Sequence, residues 1–204
     1  DTRKPLSFSV DYAFRSQPSI SRVDHGVEAE ANLRLGPQFV FSYDISRSRS
    51  ENERGYVENN VAGDSITFAR RNVTTLVNTL STSYILNNKA GLTLRARHYW
   101  SGVDNNQFYL LQNDGSLSDN PDFSANRNQN YNAFTIDMVF RWIFAPGSEM
   151  SVAWKTNSYS NENTVNYKYF DNLSKSWLNQ KNSLSLKVLY YIDYNTIKKK
   201  KKNK

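Results

Sequence analysis

The stretch that most constrains the fold is residues 132–155, where apolar and polar side chains alternate on both sides of the short segment 145–148. Successive side chains of a β-strand point to opposite faces of the sheet. The alternation therefore predicts two antiparallel strands that share one apolar and aromatic face, made of Phe134, Ile136, Met138, Phe140, Trp142, Met150, Val152 and Trp154. The other face of the predicted hairpin is largely polar.

The same period of two recurs along the chain and predicts eight strands, within residues 6–15, 27–35, 39–46, 66–86, 92–100, 134–143, 150–155 and 183–194. Short turns at 36–37, 87–90 and 145–148 alternate with longer polar connections at 16–22, 46–64, 101–130 and 156–181. Bacterial outer-membrane barrels sort their connections in this way, with short periplasmic turns and long extracellular loops. The pattern predicts an all-β, antiparallel transmembrane β-barrel segment of eight strands, with both chain ends on the periplasmic side.

Two local irregularities belong to this prediction. In the fourth strand the apolar phase of Leu76, Leu80 and Tyr84 is broken by Asn78, and a β-bulge would account for the change. Within the longest connection, residues 108–115 end in Asp-Gly and predict a small hairpin.

Composition supports a barrel over a bundle of membrane helices. Only 38% of residues are hydrophobic, yet the chain has 11 Phe, 4 Trp and 13 Tyr, and no apolar run reaches the roughly 18 residues of a membrane helix. No signal peptide is visible at the start, so an exported protein would have lost it or carry it upstream. The absence of cysteine excludes disulfides and leaves the compartment open.

The formal net charge of +7 does not indicate nucleic-acid binding. Six of the 26 basic residues lie in the Lys-rich tail, and the others are scattered along the strands rather than gathered in one patch. We expect two regions, the barrel strands and loops at 1–195 and a solvated tail at 196–204.

Charged residues of the polar phase are candidates for the lining of a lumen: Asp11, Glu28, Glu30, Arg95, Arg97, Asp137, Arg141, Lys155 and Lys187. They could set the solute preference of a pore, or they could fill a narrow lumen as a salt-bridged plug. Aromatic residues at strand ends predict an interfacial girdle: Tyr12, Phe14, Tyr84, Trp100, Trp142, Trp154, Tyr190 and Tyr194. The alternative for these aromatics is the core of a large sandwich.

Catalytic and metal sites have weak support. A general base for an outer-membrane enzyme could come only from His25 or His98; the first has only Asp24 beside it in sequence, and the second lies in the apolar phase. The Asp- and Asn-rich segments 104–106 and 119–122 lack the spacing of a calcium loop and are typical of solvated turns. We expect no catalytic residues, no cofactor and no bound metal.

The chain contains several distinctive local motifs, in the segments 68–72, 94–100 and 140–142 and in the turn 144–149 leading into Trp154-Lys155. Together they resemble a family of Bacteroidota outer-membrane barrels of unassigned activity. Full-length members carry a carbohydrate-binding-module-like domain before the barrel, so the resemblance implies that these strands are the C-terminal half of a larger barrel. The Lys-rich tail departs from the family, whose barrels end near an aromatic residue.

These observations lead to a non-enzymatic function in the bacterial outer membrane. The chain would form a pore, or an anchor that presents extracellular loops and a periplasmic domain. An outer-membrane enzyme, an adhesin or a subunit of a larger complex is the alternative. The expected partners are outer-membrane lipids and lipopolysaccharide, with other outer-membrane proteins as further candidates and no nucleic acid.

Overall fold

The computed structural model describes residues 4–60, 63 and 65–192, which form one antiparallel sheet of nine strands and a short α-helix. The strands are β1 (Leu6–Gln17), β2 (Arg22–Leu35), β3 (Phe39–Asn59), β4 (Ile66–Asn87), β5 (Ala90–Leu111), β6 (Leu117–Asp119), β7 (Gln129–Ala145), β8 (Ser148–Glu162) and β9 (Lys181–Leu189). Helix α1 spans Tyr169–Ser176, and a single 3₁₀ turn spans Pro18–Ile20. The predicted all-β antiparallel class is confirmed.

Strand order follows the chain, as β1-β2-β3-β4-β5-β7-β8-β9, and β6 pairs only with β5. The eight predicted strands are the eight long ones, and the count rises to nine because the expected small hairpin adds β6 beside the end of β5. Among the described residues β1 and β9 do not pair with each other, so the sheet is open and not closed into a barrel.

The short turns all lie at one end of the sheet, here called the lower end. One of them joins β7 to β8 through Pro146 and Gly147, flanked by the pair Ala145 and Ser148. Proline presets φ for the first corner of such a turn, and Gly147 takes φ of 70° at the second corner. A Cβ on Gly147 would also lie 2.9 Å from Cβ of Tyr191. Both the positive φ and this close approach therefore require glycine at the position.

The upper end differs from the prediction. Residues 46–64 and 101–130 were expected to be long loops, but β3 continues to Asn59 and β5 to Leu111, so much of both segments is paired strand. Both faces are polar over residues 46–54 of β3 and 104–107 of β5, and the period of two that marks a half-apolar strand is therefore absent there. The backbone ladder continues regardless, because it does not depend on side-chain polarity.

The irregular pairing of β4 arises mainly in its neighbours. Its register with β3 and β5 is continuous from Val73 to Tyr84, and Asn78 keeps its phase. Register shifts flank this stretch, where β3 has an extra residue between Ser50 and Glu53 and β5 has one opposite Arg70 and Arg71. Asn52, in the first bulge, adopts a left-handed φ of 56°. The bulges therefore lie away from Asn78: those at the upper end are in the partners of β4, and one at the lower end, between Ile85 and Asn87, is in β4 itself.

The α-helix lies in the connection between β8 and β9, which the sequence pattern predicted only as a loop. It packs against β7 and β8 at their upper ends. Across the described part of the chain, no helix is long and apolar enough to cross a membrane.

Candidate functional site

The register joins the apolar phases of all eight long strands into one face of the sheet, here called the apolar face. Leu6 on β1 is level with Leu184 on β9 through a row of directly paired residues, which are Leu33, Phe41, Thr82, Leu94, Met138 and Trp154. Much of this face is uncovered: Phe8 is 79% exposed, Val10 67% and Leu184 73%. Apolar side chains so widely exposed over a whole sheet face indicate a surface that contacts something other than water.

The upper limit of the apolar face runs obliquely across the sheet. On β1 the highest apolar residue of this face is Phe14, and on β9 it is Leu184. Because Leu184 is level with Leu6, Phe14 lies eight residues higher in the sheet than Leu184. On the strands between β1 and β9, the upper limit of the apolar face lies progressively lower, at Ile45 on β3 and at Trp154 on β8. Several apolar residues of this face lie above this line: Val23 on β2, Leu76 on β4, and the buried Trp100 on β5 and Phe134 on β7. The lower limit falls in the same direction, from Leu6 on β1 to Tyr190 beyond β9.

The opposite face, here called the polar face, carries all nine charged residues predicted to line a lumen. On this face, acidic and basic residues are concentrated on different strands. Asp11 pairs directly with Glu28, and Glu30 pairs with Asp44, which gives a cluster of four acids on β1–β3, with Arg15 above it and Arg34 below it on the same face. Basic residues predominate on β5–β9, where they are Arg95, Arg97, Arg141, Lys155 and Lys187. Between the two regions, β4 has no charged residue from Val73 to Asn87.

Few of these charges are paired. Lys155 Nζ lies 3.4 Å from Asp137 Oδ1, and Arg141 forms an ion pair with Glu149. Within the described residues, Arg97 and Lys187 make no ion pair. Like charges placed directly opposite each other destabilise a sheet, so the two acid–acid pairs require water or counter-ions around them. The polar face is therefore a hydrated surface in this open sheet.

The predicted aromatic girdle is placed unevenly. Most of its members are exposed or half-buried on the apolar face. The exposed ones are Tyr12, Phe14, Tyr84, Trp142 and Tyr190, and Trp154 is half-buried. Tyr194 lies outside the described residues. Trp100 differs from the other members, since it is only 5% exposed. Its indole is covered by Tyr167, with ring centroids 5.8 Å apart.

A buried cluster of asparagines, which the sequence did not reveal, fixes α1 to the apolar face. Asn172 on the helix and Asn130 and Asn132 on β7 are each at most 1% exposed. The Asn172 Oδ1 accepts hydrogen bonds from Asn130 Nδ2 at 3.0 Å and Asn132 Nδ2 at 3.2 Å. Trp100 Nε1 donates to Asn130 Oδ1 at 2.7 Å. Asparagine is frequent throughout the chain, so the alternation at 130 and 132 gave no signal beyond that of a polar strand end.

The segment before α1 lies close to β5. Gly102 permits this, because a Cβ there would fall 2.7 Å from Cγ1 of Val165. Tyr167 donates a hydrogen bond to Asp104, and burial together with this carboxylate raises the pKa of Tyr167 to about 12. The phenol therefore stays protonated at any physiological pH and holds the segment to the sheet.

The two histidines lie in dissimilar surroundings. His98 is buried under Tyr169, with ring centroids 5.5 Å apart, and neither of its ring nitrogens has a hydrogen-bond partner among the residues that the structure describes. His25 Nδ1 lies 2.9 Å from the Tyr12 hydroxyl on the exposed apolar face. In the part of the chain that the structure describes, no three His, Cys, Asp or Glu side chains converge in a way that could hold a metal ion. Asp104 and Asp119, from the two Asn- and Asp-rich segments, accept hydrogen bonds from Tyr167 and Gln107.

These features define a class of protein: a single antiparallel sheet with one exposed apolar face and one hydrated, charged face. The model of the family described as Domain of unknown function (DUF5916) matches residues 1–201, and the chain therefore belongs to that family. The searches of curated proteins and of solved structures gave no significant match.

Proposed function

We propose that this sheet is part of the wall of a bacterial outer-membrane β-barrel, with the apolar face towards lipid and the polar face towards a water-filled, solute-conducting lumen. The oblique limits of the apolar face are the observation that carries the proposal. In a barrel the strands are tilted, so a lipid band of constant height crosses successive strands at successively shifted positions. In the core of a sandwich no such steady shift is required.

The size of the shift gives a tilt. The upper limit moves by eight residues over the seven strand-to-strand steps from β1 to β9. With ~3.3 Å per residue and ~4.8 Å between strands, this corresponds to strands inclined by about 38° to the normal of the band. Membrane barrels have tilts of roughly 35–45°. On β1 the band covers Leu6 to Phe14, which fits the roughly 9–11 residues of a transmembrane strand.

The open sheet supports a barrel larger than eight strands. Both edge strands carry the apolar band, and an unpaired edge inside a bilayer would leave backbone N–H and C=O groups without partners. Further strands that pair with β1 and β9 would satisfy them. The resemblance to Bacteroidota outer-membrane barrels agrees with this, and supports short turns on the periplasmic side and outer-membrane lipid and lipopolysaccharide as surroundings.

The charges favour a lumen over a plug. A side-chain plug in a narrow barrel would need its charges neutralised in pairs. Among the described residues, by contrast, Arg97 and Lys187 make no ion pair, and acid faces acid on β1–β3. A wide, hydrated lumen accommodates such charges at low cost. A membrane anchor without conduction is the second reading, favoured by the helix docked at the upper end.

The lumen is tested by conductance across planar bilayers containing the full protein. We expect a steady ohmic conductance, and Arg97→Glu should shift its reversal potential in a salt gradient towards cation preference, because a charge on the pore wall attracts counter-ions. The matched control is Arg49→Glu, the same charge reversal on the other face, above the band.

Two results would count against conduction. A bilayer that stays closed after verified insertion would favour the anchor. An equal shift in both variants would mean that Arg97 does not face the conducting path.

A further inference from the structure

The exposed half of α1 has two unlike sides. At 100° per residue, Asn172 and Ser176 point towards the sheet, where both are buried. Phe170, Ser174 and Trp177 lie together on a second side, and Phe170 is 79% exposed and Trp177 53% exposed. A third side carries the charged residues Asp171 and Lys175, and Lys168 precedes the helix on that same side.

The position of α1 relates this division to the apolar band. The helix lies on the apolar face, because Trp177 contacts Phe134 at 4.9 Å between ring centroids and Tyr169 contacts His98. On β7 and β8 the band ends near Ile136 and Trp154. The helix covers the next residues upward, and Ser158 Oγ donates to the carbonyl of Leu178 at 2.8 Å. It therefore borders the upper edge of the band, outside the lumen.

We propose that α1 is an interfacial helix that rests on the outer surface of the lipid bilayer. This inference rests on the proposed function, since it requires the apolar face to meet lipid. Phe170, Trp177 and the 64%-exposed Leu178 continue the apolar surface of the band, and aromatic residues favour the headgroup level of a membrane. The charged side stays in water, and Lys168 on that side can meet anionic headgroups, as in amphipathic helices that lie in the membrane plane.

The docking of the helix makes this surface rigid. The asparagine cluster holds its inner side, and the ion pair of Lys175 with Glu162, with Nζ 2.6 Å from Oε2, fixes its rotation about its own axis. The apolar side of α1 therefore has a fixed orientation before the protein contacts lipid. No ordering of the segment is needed at the membrane, so its aromatic side chains contribute their full interfacial affinity.

Site-directed spin labelling of the full protein in lipid bilayers tests the proposal. The chain contains no cysteine, so single variants label cleanly. Phe170→Cys and Asp171→Cys are adjacent residues on different sides of α1, and Leu184→Cys reports on the band. We expect the nitroxide at 170 to be several-fold more accessible to oxygen, relative to a water-soluble nickel chelate, than the one at 171.

The outcomes separate this proposal from the one on which it rests. If the label at 184 is in lipid and those at 170 and 171 are equally exposed to the nickel chelate, the interfacial helix is wrong while the barrel wall stands. Exclusion of both reagents from position 170 would mean that a protein partner covers it, and would also overturn the proposal. An aqueous label at 184 would overturn the barrel wall and this inference together.

Discussion

Val10→Arg should destabilise the protein in a bilayer by about 2–4 kcal/mol, the cost of placing arginine near the midplane on the lipid face of a membrane barrel. Val10 lies in the middle of the band on β1, between Leu6 and Phe14, and is 67% exposed. In a water-soluble sheet, a side chain so exposed could be replaced within about 0.5 kcal/mol. The substitution therefore gives clearly different results for the two kinds of protein. The free energy of unfolding is measured by reversible denaturant titration in lipid vesicles.

The adjacent residue provides the control. Ser9→Arg adds the same charge on the polar face, where Ser9 pairs with Glu30, and should change the free energy of unfolding by less than about 1 kcal/mol. Equal effects of the two variants would mean that the faces do not differ in environment, and would contradict the assignment of the apolar face to lipid.

Asn172→Ala should release α1 from the sheet. The Asn172 side chain makes four hydrogen bonds, two to the amides of Asn130 and Asn132 and two from its own Nδ2 to the carbonyls of Asn166 and Lys168. Its loss leaves buried donors on β7 without partners, at a cost of about 1–3 kcal/mol each. A local destabilisation of about 3 kcal/mol corresponds to roughly 100-fold faster hydrogen exchange. Exchange at the amides of residues 169–178 is the measurement.

Asn163→Ala is the matched substitution, because Asn163 lies in the same connection and is exposed. Its backbone carbonyl, which truncation preserves, accepts the hydrogen bond from Asn126. Exchange in this variant should match the parent protein. If Asn172→Ala also leaves exchange unchanged, the asparagine cluster does not hold the helix.

The sequence predicted the lower half of the sheet better than the upper half. Phe8, Ile136 and Leu186 share a face in the structure as their alternation required, because a strand with one apolar side shows its register directly in its sequence. At the upper end both sides are polar over residues 46–54 of β3 and 104–107 of β5. Strand and loop then have the same composition, and pairing depends on the neighbouring strand rather than on the local pattern.

The asparagine cluster and α1 were missed for a related reason. Asn130 and Asn172 are 42 residues apart and look like ordinary solvent-facing residues until the helix folds back onto β7. The nine charged residues could be assigned to one face because a face depends only on sequence parity. Their division into acidic and basic regions follows from the order of strands in the sheet, and strand order here follows the chain.

The tilt of the strands in the membrane tests the central claim most directly. Polarised infrared dichroism of the amide bands, recorded on the full protein in oriented bilayers, gives the mean angle between the strands and the bilayer normal. The account predicts an angle of about 38°, from the shift of eight residues over seven steps and the spacings of a β-sheet. Strands lying flat in the bilayer plane, or a protein that remains in the aqueous phase, would contradict it.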